Sequence, residues 1–353
     1  MSKAISSIPG RVVAVACLSR QLVLVLLILQ IRKYFRLVVF LVLSFALALP
    51  ALAEPGKSIT DIITSGQVEL AIRLLNTRIR SAPNDAEAHH LLSKAYYHLN
   101  KWDQSIDYGE RAVALAPNNS EYWMWLGRAY GEKADSSNFV AAYSLAKKVK
   151  ASFEKSVELD GKNVAARTDL SEYYMEAPAV IGGGTDKALD QAKQLAAVDP
   201  ARAHWVYARL DEKKKDYGAA EGEYVQAIRA SNNYGSYWVN LANLYRQTEH
   251  WPQMESAIQR GVSSGNKSNA VYYNAATIYD HAGRNLPEAA NLLRKYIAVG
   301  GSDEAPIFQA HYLLGTILQK QGDRQGAVAE YRIALNLAGD YAPAADALKK
   351  LGA

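Results

Sequence analysis

Apolar and small residues recur every three or four positions along most of the chain, which is the spacing of one face of an α-helix. The clearest example is the segment 86–119. Apolar residues at helical spacing run up to Leu99, a polar break follows at 100–103, and a second helical run ends at Pro117. The segment predicts two helices joined by a short turn. Because one such hairpin cannot bury its own apolar faces, it must stack on further hairpins.

The same hairpin pattern recurs through the rest of the chain, with a period of about 34 residues. Pro83 and Pro117, which end two successive units, are one period apart. Further units begin near residues 58, 120, 164, 201, 235, 269 and 308. The eighth position of a unit is small, so that its two helices can approach closely: Ser93, Gly127, Ser171, Ala208, Ala242, Ala276 and Gly315. The eleventh is often tyrosine: Tyr96, Tyr130, Tyr174, Tyr245 and Tyr279.

The unit that begins at residue 120 resembles the tetratricopeptide repeat (TPR) family. Trp123, Leu126-Gly127 and Tyr130 reproduce the family pattern W-x2-L-G-x2-Y. The resemblance covers nearly all of residues 54–353. It implies an all-α, right-handed α-solenoid of about eight helix-turn-helix units, closed by a C-terminal capping helix over 342–351. Insertions at 131–148 and 176–186 depart from the repeat, and they are similar to those of exported bacterial TPR proteins of unassigned activity.

Residues 1–53 have the organisation of an export leader. A basic patch at 32–36 precedes an apolar run at 37–49, and Ala51 and Ala53 supply the small residues of a cleavage site. The pattern predicts a signal peptide over 31–53, cleavage after Ala53 and a periplasmic protein. A second apolar run at 12–31 indicates an over-extended reading frame whose true start lies near residues 29–32. The alternative is an uncleaved leader that anchors the protein in the inner membrane.

The charge of the chain does not favour a nucleic-acid partner. The net charge is +5, but residues 1–53 contain six basic and no acidic residues, which leaves 34 basic and 35 acidic residues in the remainder. The basic character therefore belongs to the leader, and a membrane is expected to be contacted only through it. The single cysteine, Cys17, also lies in the leader. We predict no disulfide, thiolate metal site or other cofactor in residues 54–353.

Histidines and carboxylates are the candidates for metal or catalytic groups. Histidine occupies the fourth position of three units, where the repeat places an aromatic residue: His89, His204 and His311. These positions predict packing, and we predict no metal site. Asp169, Glu172 and Glu176 share one helix face, a pattern that acid–base catalysis could use. No companion motif accompanies them, so no catalytic site is predicted and an envelope hydrolase ranks last.

The resemblance places binding on the concave surface, at the second, fifth, ninth and twelfth positions of each first helix. The candidate groove residues at these positions are His90, Lys94, Arg128, Arg202, Trp205, Arg209, Asn243, Arg246 and Tyr273. Arg202, Trp205 and Arg209 form one stripe, whose arginines could hold an acidic segment or a C-terminal carboxylate. The alternative is that Trp205 packs on its neighbours while the arginines are solvated.

Together these features predict a non-enzymatic scaffold of the bacterial envelope that holds a protein or peptide in its concave groove. An alternative is an assembly factor that joins an envelope complex through its convex face or through the insertions at 131–148 and 176–186.

Overall fold

The computed structural model describes residues 57–353, so the predicted leader lies outside the described residues. Residues 57–353 form 17 α-helices and one short 3-10 helix, and this part of the chain contains no strand. The helices are α1 (Ile59–Thr64), α2 (Val68–Ser81), α3 (Ala86–His98), α4 (Trp102–Leu115), α5 (Ser120–Asp135), α6 (Phe139–Leu159), α7 (Val164–Glu176), α8 (Thr185–Ala196), α9 (Pro200–Lys213), α10 (Tyr217–Ala230), α11 (Gly235–Gln247), α12 (Trp251–Ser263), α13 (Ala270–Ala282), α14 (Leu286–Val299), α15 (Ile307–Lys320), α16 (Arg324–Leu337) and α17 (Ala342–Leu351).

Successive helices pack as eight hairpins, from α1–α2 to α15–α16, and α17 packs on α16 at the C-terminal end. Each hairpin also contacts the next one, so the apolar core runs as a series of clusters along the stack. This arrangement confirms the predicted all-α repeat fold of eight units with a capping helix. No helix among residues 57–353 is both long enough and apolar enough to cross a membrane.

The small residues at the eighth position are explained by the close contact of paired helices. A Cβ atom on Gly127 would lie 2.5 Å from the ring of Phe153, and one on Gly315 would lie 2.6 Å from the ring of Tyr331. In the second unit, the hydroxyl of Ser93 instead donates to the carbonyl oxygen of Ser105 across the hairpin at 2.7 Å. The position therefore accepts only a side chain that leaves room for the facing helix.

The repeated polar residues link helices at fixed spacing. The Tyr174 hydroxyl donates to Glu154 at 2.7 Å, and Tyr130 makes the same bond to Glu110, in each case to the residue 20 positions earlier. The histidines of the fourth position also have structural partners. His204 lies 2.7 Å from Glu223, His311 lies 2.6 Å from Glu330, and His89 lies 2.9 Å from the carbonyl oxygen of Pro83. Among the described residues, no cluster of histidine, cysteine and carboxylate side chains could hold a metal ion.

The two segments that depart from the repeat take different forms. Residues 131–148 lengthen both helices of the third hairpin, since α5 continues to Asp135 and α6 has 21 residues. Residues 177–184 form a loop that contains the 3-10 helix Ala179–Ile181. The hydroxyl of Tyr173 donates to the carbonyl oxygen of Ile181 at 2.8 Å, which holds this loop against α7.

The two ends of the solenoid meet. The Glu69 carboxylate of α2 accepts hydrogen bonds from the backbone N–H groups of Gly339 and Asp340, in the loop before α17. Lys101 forms an ion pair with Asp340, and the side-chain amide of Gln309 donates to the carbonyl oxygen of His98 at 2.9 Å. Units one and two therefore contact unit eight, and the stack closes on itself.

Candidate binding cavity

The first helices of units two to five border a cavity of about 960 Å³. Its wall comes from α3, α5, α7 and α9, with two further residues from α6. The loop between α14 and α15 adds Asp303 and Glu304 from the far end of the chain. This volume is in the range of pockets that bind drug-sized ligands, which is enough for several side chains of a partner.

Three of the predicted groove residues line this cavity: Arg128, Arg202 and Trp205. His90 and Lys94 are buried beside it, each with 4% of its surface exposed. The remaining predicted residues lie around the cavity or beyond it: Arg209 on α9, Asn243 and Arg246 on α11, and Tyr273 on α13. Whether these nine residues bind a partner stays a prediction.

Most of the predicted cations already have acidic partners within the protein. Lys94 Nζ lies 2.7 Å from Asp303, and it also lies 4.4 Å from the ring centre of Trp125. Arg128 makes two hydrogen bonds to Asp169, at 2.6 and 3.3 Å. These cations are therefore neutralised before any partner binds.

Arg209 also has an acidic partner, whereas Arg246 on α11 has a neutral one. Arg209 lies 2.8 Å from Glu212, whose other oxygen accepts from the Tyr224 hydroxyl. The Arg246 guanidinium donates to the side-chain oxygen of Asn243 at 3.0 Å. Of the two arginines in the stripe, Arg209 is therefore already paired within the protein.

Arg202 differs from the other predicted cations because aromatic rings, rather than a carboxylate or an amide oxygen, contact its guanidinium. Its guanidinium lies over the rings of Trp205 and Tyr237, at 5.4 and 5.7 Å, and no carboxylate within residues 57–353 forms a direct ion pair with it. Its buried Nε atom has no hydrogen-bond partner in the same part of the chain. Trp205 therefore packs on Arg202, whose guanidinium borders the cavity, and binding of an acidic segment by the stripe stays a prediction.

Carboxylates outnumber cations in the cavity wall. Seven acidic residues line it: Glu132, Asp135, Asp169, Glu172, Glu176, Asp303 and Glu304. Only two arginines do so among the described residues. Of the acidic residues, Glu172 is partly buried and has neither a hydrogen bond nor an ion pair in the described part of the chain. Burial raises its pKa and the neighbouring Asp169 raises it further, while the charges of Arg209 and Arg202 oppose the rise.

The candidate acid–base residues lie in different environments. Burial raises the pKa of Asp169, while Arg128 opposes that rise by binding both of its oxygens. Glu176 is exposed and pairs with Lys213 at 3.0 Å. Of the three, Glu172 alone faces the cavity without a direct partner in the described part of the chain. The three carboxylates therefore line one cavity but differ in their burial and in their partners.

Two cavity residues, Trp125 and His98, were not predicted from the sequence. The ring of Trp125 contacts Lys94 and Arg128, and beside it Tyr97, at a twelfth position that the pattern does assign to the groove, donates to Glu132 at 3.0 Å. His98 is 2% exposed, and its Nε2 atom has no hydrogen-bond partner among residues 57–353. Burial lowers the pKa of His98 to about 4, so its ring is neutral at pH 7. Trp125 and His98 occupy the sixth and thirteenth positions of their units, which the family pattern does not assign to the groove.

Comparisons with known proteins bear on the family and the fold. The tetratricopeptide repeat family matches the chain twice, at residues 86–119 and 308–341. Yeast Tom70 superposes with a TM-score of 0.51 at 14% identity, over 86% of this chain and 66% of that chain. A thermophilic TPR protein of Thermus thermophilus gives a TM-score of 0.44 at 18% identity, over 53% of this chain and 94% of that chain.

A search of curated proteins finds no match. The two repeat matches fall in units two and eight, and the six hairpins outside these matches share the same helical pairing. The repeat therefore extends through the described part of the chain. Residues 86–119 and 308–341 are tetratricopeptide repeats, and the described part of the chain is built throughout from helical hairpins of the same kind.

Proposed function

We propose that this protein binds a protein or peptide partner in the cavity of its concave side and catalyses no reaction. TPR proteins commonly bind such partners. The observation that carries the proposal is the cavity itself, which combines aromatic walls with charged groups held in place by internal bonds. Trp125, Trp205 and Tyr97 supply apolar area, and the ion pairs around them fix the geometry. Large aromatic and arginine side chains dominate the binding energy of many protein interfaces.

Substitution of the predicted stripe tests this proposal. A variant with Arg202→Ala, Trp205→Ala and Arg209→Ala truncates two residues of the cavity wall and one neighbour, and it is expected to lose a partner captured by the wild-type protein. A matched control changes two arginines and one aromatic residue at exposed positions elsewhere: Arg294→Ala, Arg332→Ala and Tyr217→Ala. Equal capture by both variants would show that the cavity does not hold the partner.

The proposed location is the bacterial envelope, and the leader pattern at residues 31–53 supports it. Cell fractionation followed by N-terminal sequencing of the exported protein tests this part. The expected mature end is Glu54. A mature end upstream of Glu54, with the protein retained in the inner membrane, would instead support the uncleaved anchor.

Exposed apolar side chains favour assembly through the inserts as a second candidate function. Phe139 and Val140, at the start of α6, are 85% and 77% exposed, and Val180 in the 3-10 helix is 76% exposed. Both segments depart from the repeat, and exposed apolar groups of this size are typical of interaction sites when they cluster.

Two substitutions at α6 separate this candidate from cavity binding. Phe139→Asp with Val140→Asp should abolish association with an envelope complex and leave the helices intact, because neither side chain is packed. Val299→Asp, at a 52% exposed position outside the inserts, is the control. Complex formation that survives the double substitution would remove the assembly candidate.

A further inference from the structure

The cavity wall has more acidic than basic side chains. If the cavity is the binding site proposed above, this excess of negative charge bears on the chemistry of the partner. Three of its seven carboxylates are neutralised by ion pairs: Asp169 with Arg128, Asp303 with Lys94, and Glu176 with Lys213. Among the described residues, four carboxylates of the wall then remain without an ion pair, against the one guanidinium of Arg202. An acidic partner would add charge of the sign already in excess there.

We infer that the partner presents a basic segment, and that one of its lysine or arginine side chains enters the cavity and forms an ion pair with Glu172. A cation at this position would satisfy the one partly buried carboxylate of the wall that has no direct partner in the described part of the chain. It would also relieve the repulsion between Glu172 and Asp169, which lie three residues apart on one face of α7. Charge-assisted hydrogen bonds of this kind are among the stronger polar contacts.

A second, independent feature of the wall fits a donor of hydrogen bonds. His98 is almost fully buried at the cavity, and its Nε2 atom has no partner among residues 57–353. The ring is neutral at pH 7, so one of its nitrogens is an acceptor. Ammonium and guanidinium groups carry only donors. With its proton on Nδ1, His98 can accept at Nε2 from a cationic side chain, so a basic segment can satisfy both His98 and Glu172, whereas a carboxylate would repel Glu172.

The aromatic walls already hold cations of this protein. Lys94 and Arg128 lie 4.4 and 4.8 Å from the ring centre of Trp125, and Arg202 and Arg209 lie 5.4 and 6.0 Å from that of Trp205. The face of an indole ring attracts positive charge. A basic segment that extends along the first helices would find further aromatic faces at Tyr97 and Tyr173, which also line the cavity.

Three synthetic peptides of equal length test the inference with the full chain. One alternates lysine or arginine with glycine and serine, one replaces the basic residues by glutamate, and one contains only glycine and serine. Binding is measured by fluorescence anisotropy at low and high salt. We expect the basic peptide to bind at least about tenfold more tightly than the neutral one, and to weaken as salt is raised. The acidic peptide should not bind.

The variant Glu172→Gln tests whether the basic peptide binds at Glu172. This variant keeps the shape of the side chain, and it should weaken binding of the basic peptide by about tenfold, as expected for a charged hydrogen bond lost from a partly buried site. Glu158→Gln is the matched control, because Glu158 is exposed on α6 and pairs with Lys155 three residues away. Thermal unfolding of both variants establishes that each remains folded.

The possible results separate this inference from the proposed function. If the acidic peptide binds more tightly than the basic one, and Arg202→Ala abolishes that binding, the inference of a basic partner is overturned. The cavity would then remain the binding site. Equal affinity of wild type and Glu172→Gln for the basic peptide would overturn the assignment to Glu172. Binding of spermidine as tightly as the basic peptide would overturn the partner segment in favour of a small polycation. No binding of any peptide would overturn the inference, while the capture experiment above still tests the cavity.

Discussion

Glu172 carries a charge that is expected to cost stability at neutral pH. Burial and Asp169 raise its pKa above the ordinary value of 4.5, so the folded state holds the proton more tightly than the unfolded chain does. The cost is absent below the unfolded pKa and grows as the pH rises through the folded pKa. Glu172→Gln should therefore unfold at a higher temperature than wild type at pH 7, and at a similar temperature at pH 4. Circular dichroism melts at both pH values measure this, and an equal difference at the two would contradict it.

His98 is expected to contribute to unfolding in acid, with the opposite sign. Burial lowers its pKa from 6.5 to about 4, so the unfolded chain takes up the proton first as the pH falls. Stability is then lost as the pH falls from about 6.5 to about 4. The full shift corresponds to about 3 kcal/mol, since each pKa unit is worth about 1.4 kcal/mol. In urea titrations at pH 7.5 and 4.5, His98→Gln should lose less stability than wild type. An identical loss would place the acid sensitivity elsewhere.

At the scale of helix pairs, Gly127 sets the distance between α5 and α6. A Cβ atom there would lie 2.5 Å from Phe153 Cε1, closer than non-bonded atoms can approach. Gly127→Ala gains about 1 kcal/mol of helix propensity, but the overlap is expected to outweigh it and to destabilise the protein by about 1–3 kcal/mol net. Adding Phe153→Leu should recover part of that loss. A double-mutant cycle by chemical denaturation measures the coupling, and additive effects would show that the two residues do not limit each other.

The helices themselves could be predicted from local pattern, because each unit repeats the same small and aromatic positions. The small eighth-position residues and the eleventh-position tyrosines set the register of the hairpins, and the last helical run gave the capping helix Ala342–Leu351. The form of the insertion at 131–148 was harder to predict from the sequence. Its residues have the same helical period as their neighbours, so the sequence could not distinguish a separate helix from the longer α5 and α6 that the structure contains.

At the scale of the whole molecule, the charge of the cavity could not be predicted from the sequence. Position within a repeat identified Arg128 and Lys94 as concave cations, but it carried no information on their partners. Asp169 lies 41 residues from Arg128, and Asp303 lies 209 residues from Lys94. The second pair exists only because the stack turns far enough for its ends to meet, which depends on small rotations accumulated over all units. The sequence therefore suggested a basic stripe where the structure has a mostly acidic cavity.

Closure of the stack predicts cross-links between residues that an open solenoid would hold far apart. Lys101 and Asp340 form an ion pair across 239 residues, and both side chains are partly exposed, by 28% and 66%. A carbodiimide couples a lysine to a carboxylate only when the two are in contact, so mass spectrometry should detect a Lys101–Asp340 link in the monomer. Lys155 and Glu158, which pair within α6, provide the positive control.

Asp340→Asn should remove the Lys101–Asp340 link and retain the control link. If the control link forms while wild type gives no link between units two and eight, the two ends are apart in solution. The cavity would then lose Asp303 and Glu304, and with them part of the charge that favours a basic partner.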